Sequence, residues 1–187
     1  MSSEIAEKII YRINQELKKN ERIIAAIDGR CGSGKSTLSA LLKEKTGYSI
    51  IHADDFFLRP EQRTKARLSE VGGNIDYERL SEVLKELKET GVASYRPYNC
   101  STKALDAPIQ VSGQVTILEG SYSCHPVLWD FCDIHIFLTV NKEIQLERLR
   151  KRNPVLIGRF TDEWIPMEER YFEETRVAEK CEMIFET

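Results

Sequence analysis

Two kinds of hydrophobic pattern alternate along the chain, one with a helical period and one without gaps. From Ile5 to Leu17 an apolar residue recurs every four positions with charged residues between, which predicts an amphipathic helix that ends near Asn20. Helical spacing recurs later, and it predicts helices that start near Lys35 and that span Asp76–Glu89, Asn141–Arg152 and Glu163–Glu179.

The gapless apolar runs are short, which is typical of strands buried on both faces of a sheet. They predict strands over Arg22–Ile27, Tyr48–Ala53, Val115–Leu118, Ile134–Val140 and Cys181–Phe185. Because strands alternate with helices, the expected fold is α/β, with a parallel sheet between two layers of helices. Two connections, residues 54–74 and 97–113, are long for plain loops, and we expect them to be functional or mobile.

Composition and charge restrict the class of protein. The 187 residues carry 27 Lys and Arg against 30 Asp and Glu, a formal net charge of −3, and 41% of them are hydrophobic. These values predict one globular domain over residues 1–187 that is large enough to bury a core. The acidic balance argues against a nucleic acid or a membrane surface as partner, because strongly basic faces hold both. It leaves room for a small polyanion that a few local cations hold.

The cysteines and the start of the chain bear on location. The five cysteines are scattered without a CxxC pair, at Cys31, Cys100, Cys124, Cys132 and Cys181. An odd number cannot all pair internally, which favours reduced, intracellular thiols. Acidic residues interrupt the apolar start, unlike a secretory signal, and no stretch has the roughly 18–20 apolar residues that cross a bilayer. We therefore expect a cytoplasmic protein.

A glycine-rich segment between the first predicted strand and the second predicted helix matches the P-loop pattern GxxxxGK[ST]. The predicted phosphate-binding residues are Gly29, Arg30, Cys31, Gly32, Ser33, Gly34, Lys35, Ser36 and Thr37. Glycines let backbone N–H groups turn toward an anion, and the helix that follows directs its positive end to the same place. Lys35 is expected to reach the β- and γ-phosphates and Ser36 to bind Mg²⁺. The simpler alternative is a glycine-rich turn that caps a helix.

Other segments distinguish between the classes of P-loop protein, which include GTPases, motor-like ATPases and small-molecule kinases. Asn141-Lys-Glu-Ile144 follows a strand, but guanine recognition by an NKxD pattern needs a carboxylate where Ile144 stands. A motor-like ATPase closes a strand with an Asp-Glu pair, whereas Val115–Leu118 is followed by the single acid Glu119. Small-molecule kinases are the class that is left.

Two adjacent acids follow the second predicted strand. Asp54 and Asp55 lie at the carboxyl edge of the sheet, where open α/β folds bind their ligands. An acid at this edge can accept the proton of a substrate hydroxyl, which contributes about 10²–10⁴-fold in rate. The alternative is that the pair caps a helix and that Phe56 packs in the core.

Taken together, several segments resemble the uridine kinase family of P-loop nucleoside kinases, and the resemblance extends from about Ile23 to Phe185. The segments that carry it are Gly29–Thr37, Ala53–Phe57, Asn74–Leu80, Tyr95–Asn99, Leu118–His125 and Arg148–Arg152. The resemblance implies a P-loop nucleoside triphosphate hydrolase fold with a small lid near residues 153–165. It implies ATP and Mg²⁺ as cofactors, a uridine or cytidine acceptor and the chance of a homo-oligomer.

The resemblance also implies roles for particular residues. Asp54 matches the catalytic base, and Glu119 matches the acid that orients a Mg²⁺-bound water. Arg148 and Arg152, which share a helix face, match lid arginines that contact phosphate; the alternative for either is a solvated helix end.

Further substrate-binding candidates are Asp55, Phe56, Arg96, Tyr98 and His125. Arg96 and Tyr98 flank Pro97 in a long loop and form one wall of the expected acceptor pocket, with surface packing as the alternative. His125 lies in the loop after Glu119, where capping of a short turn would explain it equally well. His52 and His135 are expected in or near the core.

Two departures from the family leave the acceptor open. The family brings an Asp-His-Pro element that holds ribose hydroxyls, whereas this chain has Val71-Gly-Gly-Asn74, and Asn99 stands where the family has Asp. Pantothenate, a sugar or a vitamin precursor is therefore an alternative acceptor, and a nucleotide-binding regulatory module is an alternative from another class.

Overall fold

The computed structural model describes residues 2–187 as helices packed on both faces of a five-stranded sheet. The strands are β1 (Ile23–Gly29), β2 (Ser49–His52), β3 (Val92–Tyr95), β4 (Tyr98–Asn99), β5 (Ala104–Leu105), β6 (Ile109–Ser112), β7 (Val115–Glu119), β8 (Ile134–Thr139) and β9 (Met183–Glu186). The central sheet is parallel, in the order β2-β7-β1-β8-β9. All five strands of this sheet were predicted from the sequence, with ends that differ by at most two residues.

The helices complete a three-layer α/β/α arrangement, as predicted. They are α1 (Ser2–Glu16), α2 (Lys35–Thr46), α3 (Lys65–Ser69), α4 (Tyr77–Thr90), α5 (Lys142–Arg152), α6 (Ile157–Arg159), α7 (Ile165–Thr175) and α8 (Val177–Lys180). Side-chain caps define two of the predicted starts, because Asp76 accepts from Arg79 N and Asn141 accepts from Glu143 N. None of the helices within residues 2–187 is long and apolar enough to cross a membrane.

Strand β1 separates two hydrophobic clusters, as a strand buried on both faces must. Ile24 and Ala26 belong to the cluster that includes α4 and α7 side chains. Ile23 and Ile27 point to the other face and belong to the cluster that includes α1 and α2 side chains. The alternation of side chains along a strand places successive residues in different layers, which fixes the register of the sheet.

The register brings the chemically interesting strand ends to one edge. Glu119, the last residue of β7, lies beside Ile27 on one side and beside His52 on the other. Gly29 ends β1 with φ of 134°, and a Cβ there would stand 1.9 Å from the carbonyl oxygen of Leu138. Only glycine therefore fits where the chain leaves the sheet to form the P-loop.

The two long connections contain structure that the sequence pattern did not predict. Within residues 97–113, β4 pairs with β5 in a hairpin, and β6 pairs antiparallel with β3. Within residues 54–74, two 3₁₀ turns (Ala53–Phe56 and Pro60–Gln62) lead into α3. The backbone N–H of Asp76 donates to the carbonyl of Phe56 at 2.7 Å, so the end of this connection packs against its start.

The segment after α5 differs from prediction. Only residues from Glu163 onward were predicted to be helical, but residues 154–164 form a 3₁₀ turn, α6 and a π-helical turn over Phe160–Trp164 that continues into α7. Pro154 opens this run, since a proline is tolerated in a first helical turn where its missing N–H is not needed. The single helix predicted over Glu163–Glu179 is wrong, because Arg176 adopts φ of 52° and separates α7 from α8.

His125 contacts the segment Val71–Asn74, where this chain departs from the uridine kinase pattern. Its Nε2–H donates to the carbonyl of Val71 at 3.2 Å, and its Nδ1 accepts from the N–H of Val127 at 3.2 Å. The ring stacks on Tyr77 with a centroid distance of 4.7 Å. Gly72 has φ of 70°, and a Cβ on it would stand 2.5 Å from the imidazole Cδ2 of His125.

We expect Gly72→Ala to destabilise the protein by about 2–5 kcal/mol, because a left-handed alanine costs about 1–2 kcal/mol and overpacking on a buried ring costs about 1–3 kcal/mol. The measurement is the free energy of unfolding in a denaturant titration. Gly158→Ala is the matched control, since a Cβ on Gly158 meets no atom within 4 Å. A Gly72→Ala protein as stable as wild type would contradict this description of the segment.

Candidate active site

A cleft of about 130 Å³ opens at the carboxyl edge of the sheet. The P-loop and the start of α2 form one wall, and residues that follow β2 and β7, together with one residue of α5, form the other. The lining residues are Cys31, Gly32, Gly34, Lys35, Ser36, Thr37, Asp54, Glu119, Gly120, Ser121 and Arg152. The structure therefore brings together the predicted phosphate loop, the predicted base and the predicted metal-site acid.

Lys35 is the buried cation of the P-loop. Its Nζ donates to the carbonyl oxygens of Gly29 at 2.6 Å and Arg30 at 3.0 Å. No carboxylate of residues 2–187 lies within ion-pair distance of it. The helix α2 begins at Lys35, so its unpaired N-terminal N–H groups and the ammonium face the same place. This combination favours an anion.

Glu119 lies between Ser36 and His52. Its Oε2 accepts from the Ser36 hydroxyl at 3.2 Å, and its Oε1 accepts from Nδ1 of His52 at 2.5 Å. The hydrogen bond to the carboxylate raises the pKa of His52. Oxygen ligands of this kind suit Mg²⁺, which binds few protein groups and fills its other positions with water and phosphate oxygens. Ser36 and Glu119 thus fit the predicted magnesium site.

His52 was expected in or near the core, and that expectation is wrong. The imidazole is half exposed and contacts Glu119 at the edge of the cleft. The sequence placed His52 near the end of a predicted strand, and the pairing of that strand with β7 brings the imidazole to Glu119. His135 fits its prediction better, because it stacks on Trp129 at 3.7 Å and donates to the Trp129 carbonyl at 3.1 Å.

The two adjacent aspartates have different surroundings. Asp54 faces the cleft, and its carboxylate has no hydrogen-bond donor among the described side chains and backbone groups. Burial within the cleft, followed by the negative charge of Glu119, raises the pKa of Asp54. Asp55 instead accepts from the hydroxyl of the buried Tyr95 at 2.9 Å and does not line the cleft.

Four other predicted substrate-binding residues have structural contacts. Phe56 is fully buried, and Tyr95 packs on its ring with a centroid distance of 4.8 Å. Arg96 is exposed and donates to the carbonyls of Leu105 and Asp106, which braces the β4–β5 hairpin. Tyr98 is buried in β4, which packs against the Ala53–Phe56 turn. His125 is buried under Gly72, as described above. None of the four lines the cleft.

The two predicted arginines of α5 lie at the P-loop. Arg148 donates to the carbonyl of Gly32 at 3.1 Å and to the hydroxyl of Thr187 at 3.0 Å. A second cavity of about 290 Å³ lies between these two arginines, the outer side of the P-loop and Thr187. Arg152 lines both this cavity and the cleft.

Cys31 is a partly buried thiol of the P-loop. Burial and the neighbouring carboxylate of Glu168 raise the pKa of Cys31. Its carbonyl accepts from the side-chain amide of Gln145 at 2.9 Å, and this hydrogen bond helps to fix the conformation of the P-loop.

Sequence reasoning missed three acids that hold the P-loop. Asp28 is fully buried at the end of β1 and accepts from Gly29 N, Tyr122 N, Cys124 N and the Tyr171 hydroxyl. Glu168 accepts from Cys31 N and the Ser121 hydroxyl, and Glu169 forms a bidentate ion pair with Arg30. An aspartate inside an apolar strand was a signal for Asp28. Nothing distinguished Glu168 and Glu169 from the other acids of a charged helix.

Several solved structures share this architecture. A possible uridine kinase from Bacillus stearothermophilus superposes with a TM-score of 0.69 at 18% identity, covering 99% of this chain and 100% of that one. A proposed fructose transport system kinase from Silicibacter sp. TM1040 gives 0.66 at 19% identity, covering 99% and 98%. Shikimate kinase from Bacteroides thetaiotaomicron gives 0.51 at 20% identity, covering 88% and 86%. These likenesses establish the fold of the P-loop kinases.

The sequence itself matches a family model. The model is described as an AAA domain, and it matches residues 26–166, which include the P-loop, Asp54, Glu119 and both arginines of α5. Because this match covers well over half of the chain, the protein belongs to the AAA domain family.

Proposed function

We propose that this protein is a kinase that transfers the γ-phosphoryl group of ATP to a hydroxyl of a small molecule. One observation carries the proposal: Asp54, which has no hydrogen-bond donor within residues 2–187, shares a cleft with the P-loop lysine and with the Ser36–Glu119 pair. A nucleotide-binding module needs the loop, the lysine and the metal-site acid. A free carboxylate opposite them is the group that accepting a proton requires.

The phosphate side of the cleft uses main-chain and side-chain charge. The amides of the P-loop and the first turn of α2 would hold the β- and γ-phosphates, and Lys35 would exchange its two carbonyl contacts for phosphate oxygens. Ser36 and Glu119 would hold Mg²⁺ directly or through water, and the ion would neutralise charge on the phosphates. Arg152, which lines both cavities, would add a cation beside the transferring group.

The acceptor side uses Asp54. The acceptor oxygen attacks the γ-phosphorus, the bond from that phosphorus to the β–γ bridging oxygen breaks, and ADP leaves. The hydroxyl proton passes to the Asp54 carboxylate. The raised pKa of Asp54 brings it closer to the working pH, which makes a carboxylate a better general base.

The second cavity supports the assignment of the donor. It adjoins the outer side of the P-loop, and its volume of about 290 Å³ suits a nucleoside moiety attached to phosphates in the cleft. Arg148 already contacts the loop there, and a planar guanidinium can stack on a nucleotide base.

For the acceptor, a pyrimidine nucleoside, uridine or cytidine, is our first proposal because of the family resemblance. One observation favours another acceptor, such as a sugar, pantothenate or a vitamin precursor. The segment Val71–Asn74 carries no carboxylate, and Asn74 is occupied by a hydrogen bond from Arg63 at 3.3 Å. The ribose-holding group of the family therefore has no counterpart there.

A panel of acceptors tests the proposed function. ADP release is followed with Mg·ATP and uridine, cytidine, other nucleosides, pantothenate or simple sugars, with Lys35→Ala as the blank. We expect one acceptor to stimulate ADP release. In Lys35→Ala the stimulated rate should fall by at least about 10²-fold, because the ammonium stabilises the charge on the transferring group. Tight ATP binding without stimulation by any acceptor would contradict the kinase and favour a regulatory module.

A comparison of the adjacent aspartates tests the base. Asp54→Asn should lower kcat by about 10²–10⁴-fold while leaving the Kd of Mg·ATP near its wild-type value, because the amide cannot take the proton. Asp55→Asn is the matched control, since an amide oxygen still accepts from Tyr95 and kcat should stay within about threefold. Equal losses in the two variants would overturn the assignment of Asp54.

The pH dependence of kcat/KM for the acceptor gives a further prediction. The base acts in its ionised form, and its pKa lies above the ordinary aspartate value, so activity should be lost as the pH falls through that raised pKa. The rate is measured across an acidic pH range in wild type and His52→Gln. A limb that vanishes in His52→Gln would assign the ionisation to the imidazole, whose pKa Glu119 also raises.

A further inference from the structure

Glu168 is a buried carboxylate that reaches the P-loop from a helix behind it. One oxygen accepts from the backbone N–H of Cys31 at 2.9 Å, and the other accepts from the hydroxyl of Ser121 at 2.6 Å. Ser121 follows Glu119 by two residues and lines the cleft. A single side chain of α7 therefore connects the phosphate loop with the loop that follows Glu119.

The contact with Cys31 is made at an N–H group of a loop whose amides bind anions. Burying a carboxylate is costly unless it is hydrogen-bonded, and both oxygens of Glu168 have donors. The carboxylate supplies an anion to this N–H when no nucleotide is bound. The first part of the loop is thereby held in shape before phosphate arrives, which is how a preorganised site avoids reorganisation during reaction.

The neighbouring residue reinforces the connection. Glu169 accepts from Nε and Nη2 of Arg30 at 2.6 and 2.7 Å, and Arg30 also donates to the Thr139 hydroxyl. Two successive acids of α7 thus hold two successive residues of the P-loop. Because α7 continues directly from the helical segment 154–164, these contacts also fix the position of that segment relative to the phosphate loop.

The charge of Glu168 acts on the same cleft. Burial and then Glu119 raise the pKa of Asp54, and Glu168 raises it further. A negative charge this close to the loop also repels the phosphates of a nucleotide. The two effects of Glu168 can be separated by substitution. Its contacts with the loop need hydrogen-bonding groups, whereas its repulsion of the nucleotide needs the negative charge.

We propose that Glu168 is a positioning residue of the P-loop, which aligns Cys31 and Ser121 for phosphoryl transfer at some cost in nucleotide affinity. The inference rests on the proposed function for its effect on kcat. Its effects on nucleotide affinity and on the Cys31 amide do not depend on an acceptor.

Two variants separate alignment from charge. In Glu168→Gln the amide oxygen can still accept from Cys31 N–H and the amide nitrogen can donate to Ser121, so kcat should stay within about threefold while the Kd of Mg·ATP falls. In Glu168→Ala both contacts are lost, so kcat should fall by about 10- to 100-fold with a Kd of Mg·ATP equal to or below wild type. Glu174→Gln removes an equal charge from the exposed pair with Arg170 and should change neither value.

The measurements are calorimetric titration with Mg·ATP, initial rates with the best acceptor, and the ¹H–¹⁵N signal of the Cys31 amide. We expect that signal to keep its position in Glu168→Gln and to move in Glu168→Ala. Wild-type kcat in Glu168→Ala, or a Kd of Mg·ATP that rises in both variants, would overturn the inference. If Glu168→Ala does not fold, Glu168→Asp replaces it, since the shorter carboxylate keeps the charge and should lower kcat at wild-type Kd.

The two proposals fail in distinguishable ways. A wild-type protein that binds Mg·ATP and phosphorylates no acceptor contradicts the proposed function. In that case the Kd of Mg·ATP in wild type, Glu168→Gln and Glu168→Ala, together with the Cys31 amide signal, still tests whether Glu168 holds the loop.

Discussion

The buried carboxylate of Asp28 is the contact on which the arrangement of the cleft depends. Four donors meet it: Gly29 N at the start of the P-loop, Tyr122 N and Cys124 N in the loop after β7, and the Tyr171 hydroxyl of α7. Burial raises its pKa, whereas the hydrogen bonds that it accepts and the nearby charge of Lys35 favour the ionised form. Removing one partner of such a network leaves buried groups unsatisfied, so the three segments are held as a unit.

Around this fixed centre, the groups of the cleft have contacts that a ligand can exchange. Lys35 rests on two carbonyl oxygens, and Glu119 is shared between Ser36 and His52. The partners of Lys35 are neutral carbonyls, and those of Glu119 are a hydroxyl and a titratable imidazole. Phosphate can therefore replace the carbonyls, and a cation can replace the partners of Glu119, without leaving a buried charge unpaired. Among the described residues no donor contacts the Asp54 carboxylate, which is consistent with a group that meets the acceptor.

The sequence predicted what is local or follows from strand ends. The P-loop is recognisable because a glycine pattern, a strand and a helix are adjacent, and Asp54 and Glu119 follow parallel strands whose carboxyl ends share an edge. The burial of Phe56 and His125 away from the cleft could not be predicted, because it depends on segments far away in sequence, including Tyr95 and Gly72. Glu168 was missed for the same reason, since only the packing of α7 brings it to Cys31.

A crystal structure with Mg·ADP bound would show whether the cleft holds the phosphates and the metal ion. We expect a diphosphate on the amides between Gly32 and Ser36, with the Lys35 ammonium moved from the Gly29 carbonyl to a phosphate oxygen. We also expect a metal ion held by Ser36 and Glu119, with the Asp54 carboxylate facing the empty γ position. A nucleotide bound elsewhere, or an ion distant from both Ser36 and Glu119, would contradict the proposed kinase site.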